Sequence, residues 1–204
     1  MFDYDPDSAA FLAARSNLRA DLLVWITARN RDTGAPEDIG FWTGPDHATF
    51  VIDGVARQYF GAGAVLTPDV LVYAQGPEIR RWSVTFSAVA AEVRAAYLTY
   101  EVRGAAFEAH QLLRQPITHT VVGTPRRIFL GEVEDVQARR AEFGQPSDVK
   151  ITAASVQRRM TRTRTQTKSD ESQQRRNNPL GPDRGRRFAV WTGQRKVSWG
   201  EKSS

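Results

Sequence analysis

Short runs of β-forming residues, separated by turn residues, dominate the hydrophobic pattern of the chain. Residues 22–27, Leu-Leu-Val-Trp-Ile-Thr, are rich in β-forming residues, which predicts a buried strand. Residues 48–52 and 55–60 flank Asp53-Gly54, and Asp-Gly between two β-rich runs is the strongest short-range signal for a hairpin. Further strands are predicted at 70–73, 79–86, 105–113, 127–130 and 149–153.

Helical spacing of apolar residues occurs in two short stretches. The first is residues 7–20, with Asp7 or Ser8 as the N-cap, and the second is residues 87–98. Glycines such as Gly131 are expected to separate strands. Many short strands with a few short helices predict a mainly β protein of the α+β class, built as a small β-barrel or β-sandwich.

The charge divides the chain into two parts. Residues 1–155 carry 15 Lys and Arg against 19 Asp and Glu, whereas residues 156–204 carry 13 against 4. Residues 156–187 are rich in Arg, Thr and Gln and nearly devoid of apolar side chains, which predicts an extended segment or a short helix. Residues 188–204 resume a β pattern and predict a C-terminal hairpin. The basic part is expected to contact an acidic partner.

Several kinds of chemistry are excluded or disfavoured by composition. The chain has no cysteine, so it forms no disulfide and has no thiolate ligand or nucleophile. Its three histidines are widely spaced and predict no zinc site; they are His47, His110 and His119. No apolar run is long enough to span a membrane, and the acidic start does not resemble a secretory signal, so synthesis in the cytoplasm is expected.

The sequence offers few motifs for nucleotide or acyl chemistry. Gly61-Ala62-Gly63 follows a predicted strand but lacks the third glycine of a dinucleotide-binding loop, and no Walker sequence is present. Asp46-His47 lies near hydroxyl residues, yet there is no Gly-x-Ser-x-Gly elbow. We expect a turn at the glycines, a surface position for His47 and structural roles for the other two histidines.

Three carboxylates lie close together at Glu132, Glu134 and Asp135. They are candidates for acid–base or metal chemistry. In a strand, however, Glu132 and Glu134 share a face and repel each other unless they are paired. Arg139 and Arg140 follow closely, so a salt-bridged, solvated face is the favoured interpretation.

The basic segment is open to three interpretations. Its arginines are able to bind nucleic-acid phosphates, to pair with carboxylates of neighbouring subunits, or to line a channel for DNA. Stacking on bases is not expected, because no aromatic residue is interleaved before Phe188. The cations concerned are Arg158, Arg159, Arg162, Arg164, Lys168, Arg175, Arg176, Arg184, Arg186 and Arg187.

Several motifs resemble those of tail proteins from long-tailed phages (siphoviruses) and prophages of α-proteobacteria. In the N-terminal half they are residues 39–44 (Ile-Gly-Phe-Trp-Thr-Gly), 50–54 (Phe-Val-Ile-Asp-Gly) and 57–63 (Arg-Gln-Tyr-Phe-Gly-Ala-Gly). Residues 155–162 and 168–176 are also similar, and so is the closing Val-Ser-Trp-Gly. The Ser-Asp-x-x-Gln-x-Arg element resembles one in gene-transfer-agent and lambda-type tail-tip hub proteins. Met160 replaces a leucine usual in the family.

The resemblance implies a baseplate hub protein of the virion tail tip, and not an enzyme. Such a hub closes the distal end of the tail tube as a trimeric ring, so residues 1–155 are expected to form two interleaved small β-barrels. The implied partners are copies of itself, the distal tail protein and other tail-tip proteins, with passing contact to DNA in the tail lumen. The expected subunit-interface residues are Arg158, Arg159, Arg162, Arg175, Arg176, Trp191 and Trp199.

One feature of the family and two other functions complete these expectations. Some relatives hold an iron–sulfur cluster through cysteines, which this chain lacks, so no cofactor and no metal are expected. A nucleic-acid-binding protein that uses the basic segment is the main alternative. A cell-wall hydrolase is a third hypothesis, for which no catalytic constellation is recognisable.

Overall fold

A computed structural model describes the chain at residues 4–15, 17–61, 65–73, 76, 78–88, 90–140 and 147–161. The predicted C-terminal hairpin at 188–204 and most of the basic segment lie outside these residues. The elements, in chain order, are α1 (Pro6–Ala13), β1 (Arg19–Asn30), β2 (Pro36–Trp42), β3 (Ala48–Ile52), β4 (Val55–Tyr59), β5 (Val65–Pro68), β6 (Arg81–Ser87), α2 (Ala91–Thr99), β7 (Tyr100–Arg114), β8 (Val121–Arg139), β9 (Asp148–Ser155) and α3 (Arg158–Thr161).

The predicted fold class is confirmed: the described chain is mainly β, with three short helices. Seven strands form one antiparallel sheet in the order β2-β1-β7-β8-β9-β6-β5, which curls into a half-barrel. The remaining two strands, β3 and β4, form a separate hairpin. Within the described ranges, no helix has the length and apolar character needed to cross a membrane.

The predicted buried strand is the centre of β1, and both of its faces are covered. Leu22, Val24 and Ile26 point into the main core, which extends through β6, β7, β8 and β9. Leu23 points the other way, into a smaller core shared with the β3–β4 hairpin, and Trp25 packs against it. Because side chains alternate along a strand, a continuous apolar run is what two covered faces require.

The β3–β4 hairpin forms as predicted. Its strands pair antiparallel from Ala48 with Tyr59 to Ile52 with Val55. Asp53 and Gly54 occupy the turn with φ values of 51° and 79°. Both central residues of a tight hairpin turn need positive φ, which asparagine, aspartate and glycine tolerate best.

The N-terminal helix is shorter than predicted and has a different cap. Asp5 is the N-cap, since its carboxylate accepts hydrogen bonds from the backbone N–H groups of Asp7 and Ser8, both at 3.1 Å. The prediction of Asp7 or Ser8 as the cap was wrong, because Pro6 already occupies the first turn, where its fixed φ is favourable. Arg15, at φ 49°, ends the helix in a left-handed conformation.

Two further expectations were wrong. Residues 70–73 do not form a strand, because the carbonyl of Asp69 accepts the indole N–H of Trp82 at 2.8 Å and the chain leaves the sheet after β5. Gly131 does not separate strands but lies within β8. A side chain there would collide with the carbonyl of Ala154, so this glycine permits a close approach of β8 and β9.

Candidate assembly site

Two of the seven expected interface residues lie within the described chain. Arg158 and Arg159 open α3, three residues after β9 ends at Ser155. The other five lie outside the described residues: Arg162, Arg175, Arg176, Trp191 and Trp199. The site is therefore built around α3 and the strands on which it rests.

The strand that receives α3 carries the two predicted carboxylates. Glu132 is level with Ala154 of β9, but the register slips between Val133 and Asp135, which leaves Glu134 as the extra residue of a β-bulge. A bulge bends the strand and redirects a side chain. The bulge thus explains why Glu134 can collect cations from two different elements.

Three arginines neutralise these two carboxylates. Arg81 donates to Glu134 from Nε at 2.6 Å and from Nη2 at 3.3 Å. Arg158 Nη1 lies 2.8 Å from Oε1 of the same Glu134 carboxylate. Arg159 Nε donates to Glu132 Oε1 at 2.8 Å. A salt-bridged face was expected here, and the ion pairing is confirmed. The partners are not the neighbouring Arg139 and Arg140 on which the expectation was based, but arginines of β6 and α3.

Arg81 was missed in the sequence because its partner is distant in the chain. Register places Arg81 level with Ala154, which is itself level with Glu132 on the next strand. The short side chain of Ala154 lets Arg81 reach across β9 to Glu134. No local pattern announces such a contact, since the residues are 53 positions apart.

The electrostatics of the site favour the charged states of Glu134 and Arg81. The hydrogen bond from Arg81, reinforced by the charges of Arg158 and Arg103, holds the pKa of Glu134 below its ordinary value against a smaller opposing effect of burial. Glu134 in turn raises the pKa of Arg81. The carboxylates are well covered, at 13% exposure for Glu132 and 22% for Glu134, whereas the side chain of Arg81 is 62% exposed.

The chain enters the site through backbone hydrogen bonds. The N–H of Ser155 donates to the carbonyl of Arg80 at 2.8 Å, and the Ser155 hydroxyl accepts from the N–H of Arg80 at 3.0 Å. The N–H of Val156 donates to the carbonyl of Leu130 at 3.3 Å. Beyond Val156, Arg158 and Arg159 join α3 to the carboxylates of β8.

A second cluster is built by residues of the N-terminal motifs at 39–44 and 57–61. The indole N–H of Trp42 donates to the carbonyl of Asp46 at 2.7 Å. A side chain at Gly61 would lie within 2.6 Å of the Gly44 carbonyl, and one at Gly40 would lie within 2.5 Å of the Gln58 carbonyl. These motif residues therefore interlock β2 with the chain at the base of the hairpin.

The histidines occupy three different settings. His47 is half exposed, as expected, and lies 3.9 Å from Glu92 with its ring edge-on to Phe60. His110 is 1% exposed and faces the hairpin from β7, where burial lowers its pKa to about 4. His119 lies in the exposed turn between β7 and β8. In the described part of the chain, no group of three metal-binding side chains comes together.

One small cavity of about 190 Å³ lies between α2, β7 and β8. Its walls are Tyr97 and Tyr100, and its rim carries Arg31, Glu101 and other charged residues of both signs. Small-molecule sites usually enclose about 300 Å³ or more. The size and the balanced rim charge do not favour a particular small ligand.

The chain matches no family model, and no curated protein is significantly similar to it.

Proposed function

We propose that this chain is a structural component of a bacteriophage tail tip, a baseplate hub protein that closes the distal end of the tail tube and connects it to neighbouring tail-tip proteins. The virion is the proposed location, after synthesis in the bacterial host, and a homotrimeric ring is the proposed assembly. The proposal includes no enzymatic activity, cofactor or metal.

The observation that carries the proposal is that the motif residues make packing contacts that hold the β3–β4 hairpin against the sheet. Gly40 and Gly61 lie against backbone carbonyls, and Gly44 lies against the ring of Trp42, whose indole N–H donates to the carbonyl of Asp46. These contacts fix the hairpin to the sheet. Such residues serve geometry and not chemistry. A motif of this kind fits a protein whose task is to present a rigid surface. The same residues resemble motifs of phage tail proteins, and we therefore propose the tail tip as the assembly.

The arginine–carboxylate site supports the same proposal. Arg158 and Arg159 attach the start of the basic segment to the sheet through charge-assisted hydrogen bonds. Arginine is enriched in protein interfaces and suits carboxylates geometrically. Tail-tip proteins that meet several neighbours need surfaces of this composition.

Cryo-electron microscopy of purified particles from the phage or prophage that encodes the chain tests the proposal. We expect three-fold density at the distal end of the tail tube into which the seven-stranded half-barrel fits. A matched sample lacking the gene should lose this density. Particles that are complete without the chain would refute the hub role.

A nucleic-acid-binding role is the second candidate, favoured by the 13 Lys and Arg against 4 Asp and Glu in residues 156–204. Phosphate contacts require little beyond charge, and they weaken steeply as salt rises. A gel-shift titration of the full chain against double-stranded DNA at increasing salt tests it. Binding that persists near physiological salt would favour this role over the hub.

A further inference from the structure

The β3–β4 hairpin is joined to the main sheet by backbone hydrogen bonds only at its base. There, the N–H of Phe60 donates to the carbonyl of Gly40, and the carbonyl of Phe60 accepts from the N–H of Trp42, both at 2.9 Å. The hairpin strands form a sheet of their own, and within the described residues none of their backbone hydrogen bonds reaches the seven-stranded sheet. The base is therefore the fixed end, and residues 48–59 are held by packing and by side-chain contacts.

The packing that holds the hairpin strands is small in extent. Arg57 Nη1 of β4 donates to Glu108 Oε2 of β7 at 2.8 Å, which joins the hairpin to the sheet by charge. Elements with few buried apolar contacts are those that open locally while the rest of the fold persists. Among the described residues, the core beneath the hairpin has five buried members against nineteen in the main core, and the five are Leu23, Trp42, Ile52, Tyr59 and Leu112.

A buried histidine lies under the hairpin. His110 is level with Leu23 in the pairing of β1 with β7, and it shares a face of β7 with Glu108, two residues earlier. It is 1% exposed, and its buried Nδ1 has no hydrogen-bond partner within the described residues. A neutral imidazole is stable in such a place, whereas an imidazolium without a partner is costly to bury. The closed hairpin therefore requires His110 to be neutral.

The charges around His110 oppose one another. Glu108 and Asp53 favour its protonated form, whereas Arg57 and Arg127 disfavour it. Burial is the largest effect, and it lowers the pKa of His110 from 6.5 to about 4. β3 has no ionisable residue. The ionisable side chains of the other surrounding elements are Glu108 and Arg114 of β7, Arg57 and Tyr59 of β4, Asp53 of the turn, Arg127 of β8 and Asp21 of β1.

We propose that the β3–β4 hairpin is a flap that acid opens: protonation of His110 releases residues 48–59 from β1 and β7, while Phe60 stays bound to β2. The inference goes beyond the proposed assembly function and does not depend on it. When the flap is open, the His110 ring is in water and takes up a proton that the closed state does not bind, so acid favours the open state. The open population should rise by up to about tenfold for each pH unit between about 6 and 4.5.

Thiol labelling in acid tests the flap, because the chain has no cysteine of its own. Ile52→Cys places a thiol in the hairpin where the native residue is 3% exposed, and Ile151→Cys places one in β9 where it is 6% exposed. Val51→Cys, at a position 60% exposed, corrects for the pH dependence of the reagent, dithiodipyridine, which reacts with thiols in acid. Relative to Val51→Cys, the labelling rate of Ile52→Cys should rise about 20-fold from pH 6 to pH 4.5, while that of Ile151→Cys stays low.

Two further substitutions in the Ile52→Cys chain identify the group that responds to acid. His110→Gln should abolish the rise, and His110→Leu is a second neutral replacement in case glutamine disturbs the packing. Glu108→Gln is the matched control: it removes the ion pair with Arg57, so labelling should be faster at every pH while the rise in acid remains. The proposal would be overturned by a flat wild-type profile, by equal rises at Ile52→Cys and Ile151→Cys, which indicate unfolding of the whole sheet, or by a rise that Glu108→Gln abolishes and the His110 variants keep.

Discussion

Arg114 of β7 donates a hydrogen bond from Nε to Asp21 of β1, and both side chains are buried. Asp21 also accepts from Thr43 Oγ1 at 3.1 Å and from Arg19 Nε at 3.3 Å, while the Arg114 guanidinium lies over the ring of Trp42. Burial alone would raise the pKa of Asp21, but the hydrogen bond and charge of Arg114 outweigh it, so the pKa is lowered.

The Asp21–Arg114 pair is expected to be essential for stability. Asp21→Asn leaves a buried, uncompensated cation, and breaking a buried pair in this way costs about 3–5 kcal/mol. The free energy of unfolding, from urea titration, measures the loss. Asp38→Asn is the matched control: Asp38 accepts from Thr27 on an exposed part of the neighbouring strand, and its loss should be below about 1 kcal/mol. Equal losses would contradict the central place of the buried pair.

Asp5 is expected to join α1 to β8. Its carboxylate caps the helix and also accepts from the N–H of Thr124 at 3.2 Å. Asp5→Ala should cost about 1 kcal/mol, the usual value for an N-cap, whereas Asp7→Ala should cost much less. Thermal unfolding of the two variants at neutral pH measures the difference.

The Asp5 contribution should also depend on pH. Hydrogen bonds, first among them that of Ser8, lower the pKa of Asp5 from 3.8 to about 2. A lowered pKa means that the stabilisation is fully present above pH 3.8 and disappears as the pH falls towards 2. The difference between wild type and Asp5→Ala should therefore shrink in acid, and a constant difference would contradict the assigned cap.

His110 is expected to make the fold sensitive to mild acid. Because burial lowers its pKa from 6.5 to about 4, the unfolded chain binds a proton that the folded chain does not. Stability should fall as the pH drops from about 6.5 to about 4, by roughly 3 kcal/mol in total. His110→Gln should flatten this part of the pH profile in urea titrations.

The control for His110 is another histidine that stays in water. His119 lies in an exposed turn with φ 57°, a conformation that asparagine tolerates, so His119→Asn is expected to keep the wild-type slope. If the two variants gave the same profile, His110 would not be the group responsible. Charged neighbours contribute to its environment, among them Glu108, Arg57, Arg127 and Asp53.

Gly40 is expected to tolerate no side chain. A Cβ there would lie 2.5 Å from the carbonyl of Gln58 and 2.8 Å from the ring of Trp25. Gly40→Ala should cost about 2–3 kcal/mol through overpacking. Gly34→Ala is the control, since Gly34 has φ 72° but open space around it, and only backbone strain of about 1 kcal/mol is expected. Chemical unfolding distinguishes steric collision from strain, and a larger loss at Gly34 would contradict the close packing.

Local signals predicted the elements whose cause is local. The Asp53-Gly54 turn and the continuous apolar run of β1 each follow from a short stretch of sequence, and both were correct. The wrong predictions, a strand at 70–73 and a break at Gly131, have causes that are distant in sequence. The indole N–H of Trp82 donates to the Asp69 carbonyl, and the sheet ends before residue 70. The carbonyl of Ala154 leaves no room for a side chain at position 131. Such contacts depend on register between strands that the sequence does not display.

The candidate site was likewise predictable only where its cause is local. Two carboxylates on one strand face require cations, which predicted their pairing but not their partners. Arg81 became a partner only through the alignment of β6, β9 and β8, and Arg158 through the direction of the turn after β9. The five expected interface residues beyond Arg159 stay predictions.

The order of strands in the sheet determines which strand pairs can form first during folding. β1 lies between β2 and β7, yet 69 residues separate its end at Asn30 from the start of β7 at Tyr100. A nascent chain can form the β1–β2 pair early, but the other edge of β1 has no strand to join until β7 leaves the ribosome. Pairing strands this far apart in sequence requires the chain to lose loop-closure entropy before the stabilising contacts form. Folding is therefore expected in the slow range of all-β proteins. During that interval the open edge of β1 is the segment a chaperone would need to shield from neighbouring nascent chains.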